Sequence, residues 1–249
     1  MALKLYQFAI SHYCEKIRWA LDYKGLNYET ITLLPGQHIK TMRQVTGTKI
    51  TSVPVLEHDG TIVQDSPKIL DYLDQTFPER PLTPEDPALR EQALAWEQRL
   101  DNEAGPAVRC YAYHHFLKRP KVVIPLLAAG TPFYNRYLLS LIFSRVEEMM
   151  RHWMKINEKT SEQSRLVMEQ LLTDLAAAYK DSPFLVGDTF TRADLTAAAM
   201  FSPMFQPDAY PLNWPKPEKI PADVSAWLQQ WQPQLQVLSD VYEQHRKAG

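Results

Sequence analysis

The chain has two cysteines, Cys14 and Cys110, and only eight glycines in 249 residues. Two thiols cannot build a disulfide framework, so a reducing, cytoplasmic setting is expected. No apolar run approaches the ~20 residues needed to cross a bilayer. The opening Met-Ala-Leu-Lys-Leu-Tyr-Gln-Phe reads as a strand rather than a targeting segment, and no membrane partner is expected. Neither sign of charge dominates: 27 Lys and Arg stand against 29 Asp and Glu, a net charge of -2. That balance gives no basic surface for nucleic acid. Gly-x-Gly-x-x-Gly, Gly-x4-Gly-Lys-Ser/Thr, Gly-x-Ser-x-Gly, His-Glu-x-x-His and Cys-x-x-Cys are all missing, so neither a nucleotide loop nor a metal site is signalled. His114 and His115 are adjacent; on a helix they diverge by about 100° and read as polar residues of an exposed or cleft-lining face.

What is present suits two globular domains. Apolar residues make up 45% and charged residues 22%, enough for a sizeable core. Leu3 to Phe8 alternates and reads as a strand, His12 to Lys24 as a helix stopped by Gly25, and Tyr28 to Leu33 as a second strand. Val53 to Glu57 and Thr61 to Gln64 flank His58-Asp59-Gly60, a hairpin signal. Ser66-Pro67 reads as N-cap and first residue of a further helix. Four prolines between Phe77 and Pro87 mark a linker. Beyond it helical patterns dominate: roughly 87–118, 134–158, 161–180, one opening at Thr191, then 222–231 and 233–247. Thr191 to Asp194 is a capping box with Phe190 and Leu195 placed as a hydrophobic staple. Residues 203–221 carry six prolines and read as an ordered surface loop. The expected divisions are 1–77 (α/β), 78–87 (linker) and 88–249 (all helical).

Several residues carry chemistry. Ser11-His12-Tyr13-Cys14 joins strand to helix, where free N–H groups and the positive dipole end favour an anion; an N-cap serine beside a buried cysteine is the other reading. Cys14 shares the apolar face of Ile17 and Leu21. Lys16 and Arg18 read as solvent-facing charges, with dimer contacts as the alternative.

Taken in order, five elements resemble the cytosolic glutathione transferase family, in its serine-type, theta-like bacterial form: the strand followed by Ser11-x-x-Cys14; Gly36-Gln37-His38; Ser52-Val53-Pro54-Val55-Leu56; Gln64-Asp65-Ser66; and Phe184-Leu185-Val186-Gly187-Asp188 with Thr191-x-x-Asp194. The resemblance implies a thioredoxin-like βαβ-ββα domain plus an all-α domain, a homodimer, glutathione as co-substrate and a hydrophobic electrophile as its partner in detoxifying conjugation. It places Ser11 at the catalytic position, with Cys14 as the rival activating group. It implies a cis Val53-Pro54 bond that turns the Val53 backbone toward the tripeptide. Ser66 and Asp65 then face the γ-glutamyl end, where the family often carries Glu or Gln in place of Asp65. Gln37, His38 and Lys40 are candidates for the glycyl carboxylate, with Lys49 as a further charge. Arg109, Cys110, Tyr113, His114 and Phe116, with Met204 and Phe205 from the proline-rich loop, are candidates for the second-substrate wall. The alternatives are a non-catalytic glutathione- or ligand-binding protein of this fold and a thiol transferase using Cys14.

Overall fold

The structure is a computed structural model that describes residues 2–246. Four strands, β1 (Leu3–Gln7), β2 (Tyr28–Thr32), β3 (Val55–His58) and β4 (Thr61–Gln64), form one sheet in the order β2-β1-β3-β4. β1 pairs parallel with β2, while β3 runs antiparallel to both β1 and β4. The hairpin between β3 and β4 turns through Asp59 and Gly60, both at positive φ, as a tight two-residue connection requires. Helices α1 (His12–Tyr23), α2 (His38–Thr46) and α3 (Ser66–Thr76) complete a thioredoxin-like α/β domain.

The rest is helical: α4 (Pro87–Arg99), α5 (Gly105–Phe116), α6 (Pro120–Leu127), α7 (Asn135–Trp153), α8 (Glu158–Ala178), α9 (Arg192–Phe205), α10 (Ala222–Gln230) and α11 (Gln232–His245). The helix expected over 87–118 is interrupted by a π turn at Leu100–Ala104. Pro106 explains it. Proline has no N–H, so the ladder cannot continue unbroken across that position. Helix α6 was not anticipated from the sequence. It holds despite Pro125 because Val123, Ile124, Leu126 and Leu127 are all buried.

One core runs through both halves. Ile17, Trp19 and Leu21 of α1 pack on Leu5 and Leu56 of the sheet and on Leu195, Ala198 and Ala199 of α9. Helix α1 is thus enclosed on all sides, which overturns the solvent-facing reading of Lys16 and Arg18. Both are buried. Lys16 Nζ lies 2.7 Å from Glu97 and from Asp101, and Arg18 pairs with Glu15 at 2.7 Å. Burying a charge costs too much without such partners. Arg192 at the start of α9 meets the same Glu97 at 2.6 Å and Asp71 of α3 at 2.6 Å. One carboxylate on α4 therefore ties α1 to α9.

The Thr191 capping box is formed. Asp194, fully buried, accepts from the Thr191 N–H (2.9 Å), the Leu185 N–H (2.7 Å) and the Tyr179 hydroxyl (2.9 Å). Phe190 and Leu195 join the core beside it. The proline-rich loop is less superficial than its composition suggests. Helix α9 continues through Pro203, and Tyr210 is buried, its hydroxyl donating to the Ile10 carbonyl at 3.0 Å beneath the Arg18 guanidinium.

Candidate active site

The end of β1 delivers the chain to Ser11, the N-cap of α1. Its backbone is extended (φ -76°, ψ 122°), and its Oγ accepts from the Cys14 N–H at 3.3 Å. A hydroxyl oxygen that accepts from a helix N–H still has its own proton to donate, and the Cys14 sulfur is one acceptor within its reach. Ser11 borders a cavity of about 400 Å³. Cys14 does not border it. The thiol is fully buried, and burial pushes its pKa up. Both features run against a catalytic role for Cys14: a thiolate nucleophile needs exposure and a lowered pKa.

A second cavity, about 590 Å³, adjoins the first and is the more polar of the two. Its lining includes Val53, Pro54, Asp65, Ser66, Asp101 and Arg109. The Val53-Pro54 bond is cis. Asp65 stands at φ 92°, an uncommon conformation for a residue with a side chain, and such strain concentrates at functional positions. The expected N-cap shifts by one residue: Asp65 holds that position, Ser66 begins α3, and no side chain caps the terminus. Its N–H groups remain available to an anion.

Asp101 was missed from sequence because only the fold brings it here. It sits in the π turn with Oδ2 on Lys16, while buried Oδ1 has no partner in the described structure. Its backbone carbonyl accepts from the Tyr13 hydroxyl at 2.6 Å. Pro106 lacks the N–H that a π turn would offer that carbonyl, and Tyr13 supplies the bond instead. Gly105 makes the docking possible. A Cβ there would lie 2.1 Å from the Tyr13 Oη.

The first cavity is apolar. Val108, Tyr113 and Phe116 line it from α5, Met149 and Trp153 from α7, and Met204 and Trp214 from the segment around α9. His12 also faces it. Burial, with the Arg109 charge adding to it and a hydrogen bond to the Gly105 backbone opposing, lowers the His12 pKa to about 3. His38 borders the cavity too, its Nδ1 accepting from the Gly36 N–H at 3.1 Å and its ring edge-on to Phe8. Burial lowers its pKa as well.

Gln37, Lys40 and Lys49 are exposed and border neither cavity. Cys110, His114 and Phe205 lie outside both as well, which corrects their expected place in the wall. Cys110 turns toward Thr160 on α8 (3.6 Å), His114 Nε2 meets Lys118 Nζ at 3.2 Å, and Phe205 packs on Tyr242. His115 pairs with Asp223 at 3.1 Å. Among the described residues there is no group of three or more His, Cys, Asp or Glu placed to hold a metal, and no helix is long and apolar enough to cross a membrane.

Residues 5–81 match the family model for the glutathione S-transferase N-terminal domain. The chain is similar to glutathione S-transferase 1 of Dianthus caryophyllus, 36% identical over 97 residues, which is 38% of this chain and 42% of that protein. It is also similar to a glutathione S-transferase of Pseudomonas putida, 36% identical over 117 residues, or 46% of this chain and 51% of that one. The chain thus spans about half the length of these curated relatives. The fold likeness is fuller. A glutathione S-transferase of Methylobacterium radiotolerans, solved in complex with glutathione sulfonate, superposes with a TM-score of 0.61 at 20% identity, covering 100% of this chain and 96% of that one.

Proposed function

We propose that the protein is a glutathione transferase of the serine type, which activates the thiol of bound glutathione for attack on a hydrophobic electrophile. The observation that carries this reading is Ser11: an N-cap hydroxyl whose oxygen accepts from the helix, at the rim of an apolar cavity and beside a more polar one. The tripeptide lies in the polar cavity. Its γ-glutamyl carboxylate meets Ser66 and the uncapped start of α3, its ammonium faces Asp65 and Asp101, and its cysteinyl backbone pairs with Val53. His38 is the candidate for the glycyl end that borders a cavity; Gln37 and Lys40 would have to swing in.

The energetics suffice. An unperturbed thiol has a pKa of about 8.5, and lowering it by two units needs about 2.7 kcal/mol. A hydrogen bond to a charged group contributes roughly 1.5–3 kcal/mol. The helix terminus adds roughly 0.3–1 kcal/mol. Serine need not ionise; its proton stays on oxygen and is shared with the sulfur. The thiolate then forms the new bond while the electrophile's leaving group departs with its electron pair.

The same reading includes a homodimer, a cytoplasmic, detoxifying role, and units at 1–77 and 88–249 joined by 78–87. Titration with glutathione followed by turnover of a panel of aryl and alkyl halides tests it. Binding with measurable conjugation, lost at least tenfold in Ser11→Ala and kept in Cys14→Ser, is the expected result. The reverse pattern of the two variants removes the assignment, and tight binding without turnover across the panel favours a non-catalytic glutathione-binding protein.

A further inference from the structure

The apolar cavity holds a single charged side chain among its described lining residues, Arg109. Its guanidinium makes no hydrogen bond and no ion pair within the described structure; its field is felt by His12, Tyr13 and Tyr113. Arg192, Lys16, Arg18 and Arg246, by contrast, are all paired with carboxylates. An unpaired, half-buried cation facing apolar walls is an unfilled demand for an anion, because its attraction for one rises as water is excluded.

Two further groups mark the same end of the cavity. His12 is 5% exposed, and its Nε2 has no partner. Buried polar atoms are normally satisfied, so this one, on the wall of a cavity, points to a ligand. The half-buried Tyr113 hydroxyl beside it has no hydrogen-bond partner in the described structure and is open to the cavity. The imidazole is neutral and adds a hydrogen-bonding atom without charge. That end therefore offers one positive charge and matches one negative one.

Arg109 also borders the polar cavity, so a carboxylate of glutathione is the competing counter-ion. The placement of the donors argues against it. Ser66 and the uncapped start of α3 already serve the γ-glutamyl carboxylate in that lining, while Asp71, Glu97 and Asp101 are held by Lys16 and Arg192 and leave Asp65 as the acidic group without a cation of its own. The apolar cavity holds no acidic side chain to oppose an anion.

We infer that the second substrate is an aromatic molecule bearing one anionic oxygen group, a carboxylate or phenolate, which Arg109 pairs with at the end of the cavity lined by His12 and Tyr113. The inference rests on the transferase reading for the word substrate, but the anion preference is a property of the cavity alone.

Calorimetric titration of the full chain with 2-naphthoate and 2-naphthamide tests it, two probes of the same shape that differ in charge. The acid is expected to bind at least tenfold more tightly than the amide. Arg109→Gln should erase that preference while leaving amide affinity within about threefold, and Arg109→Lys should keep most of it. Equal affinities in the unaltered protein overturn the inference. So does an Arg109→Gln variant that loses glutathione affinity and keeps the naphthoate preference, since the cation then serves the tripeptide. A protein that prefers naphthoate but binds no glutathione sinks the transferase reading and leaves the anion-binding cavity standing.

Discussion

The two cavities share Tyr13, Ser52, Val53 and Arg109, yet they are built from different kinds of structure. The polar one is framed by turns and helix ends: the cis Val53-Pro54 bond, the strained Asp65, the start of α3 and the π turn at Asp101. The apolar one takes its floor from the turns before α1, α2 and β3, and most of its wall from the sides of helices α5, α6 and α7 and the loop after α9. Turns and helix ends expose backbone donors with fixed directions, which suits a ligand of constant chemistry. Helix sides present interchangeable side chains, which suits a site that selects by shape. On this account the polar cavity is a fixed socket and the apolar one sets specificity.

That contrast can be broken or sharpened by substitution. The largest effect is expected at Glu97, buried beneath the polar cavity and shared by Lys16 and Arg192. Glu97→Ala leaves two buried cations short of a partner and should cost about 3–5 kcal/mol in urea unfolding. A loss under 1 kcal/mol would mean that the ion network does not support the socket.

His12 comes next, on the apolar side. Its pKa in the folded protein, about 3, lies below the ordinary value near 6.5. Neutral His12 is thus favoured by folding, and its contribution is full above pH 6.5 and lost as pH falls toward 3. From pH 7 to pH 5 it should amount to about 2 kcal/mol, seen as a steeper decline than that of His12→Gln over the same range. Parallel stability curves for the two proteins would show that the imidazole is not held neutral.

The smallest effect is expected at the shared wall. Gly105→Ala recovers roughly 1 kcal/mol of helix propensity but forces the Tyr13 ring off the Asp101 carbonyl, an overpacking cost of roughly 1–3 kcal/mol. The net loss should be about 1 kcal/mol, with glutathione affinity falling more than stability does. Unchanged affinity would separate Tyr13 from the socket.

The same contrast explains what could be read from the chain. Ser11, Val53, Pro54, Asp65 and Ser66 were legible because turns and caps leave local signatures, and all five border the cavities. The order of strands and helices in the first eighty residues was legible for the same reason. The helical wall was not. Cys110, His114 and Phe205 each lie one residue from a true lining residue, Arg109, Tyr113 and Met204. One step on a helix is about 100°, enough to turn a side chain from cavity to core. Lys16 reads as solvent-facing because its partners, Glu97 and Asp101, are over eighty residues away, and Arg18 because its neighbour Glu15 gives no local sign that α1 is covered on that side. Trp153 and Trp214 carry no local signal for a cavity.

The central claim is that the Ser11 hydroxyl holds a bound thiol in its ionised form. The direct measurement is the ultraviolet thiolate absorbance of glutathione on the protein, titrated against pH, for the unaltered chain and for Ser11→Ala. The account predicts an apparent thiol pKa about two units below the free value of about 8.5, returning most of the way in the variant. Identical titrations for the two proteins would contradict it.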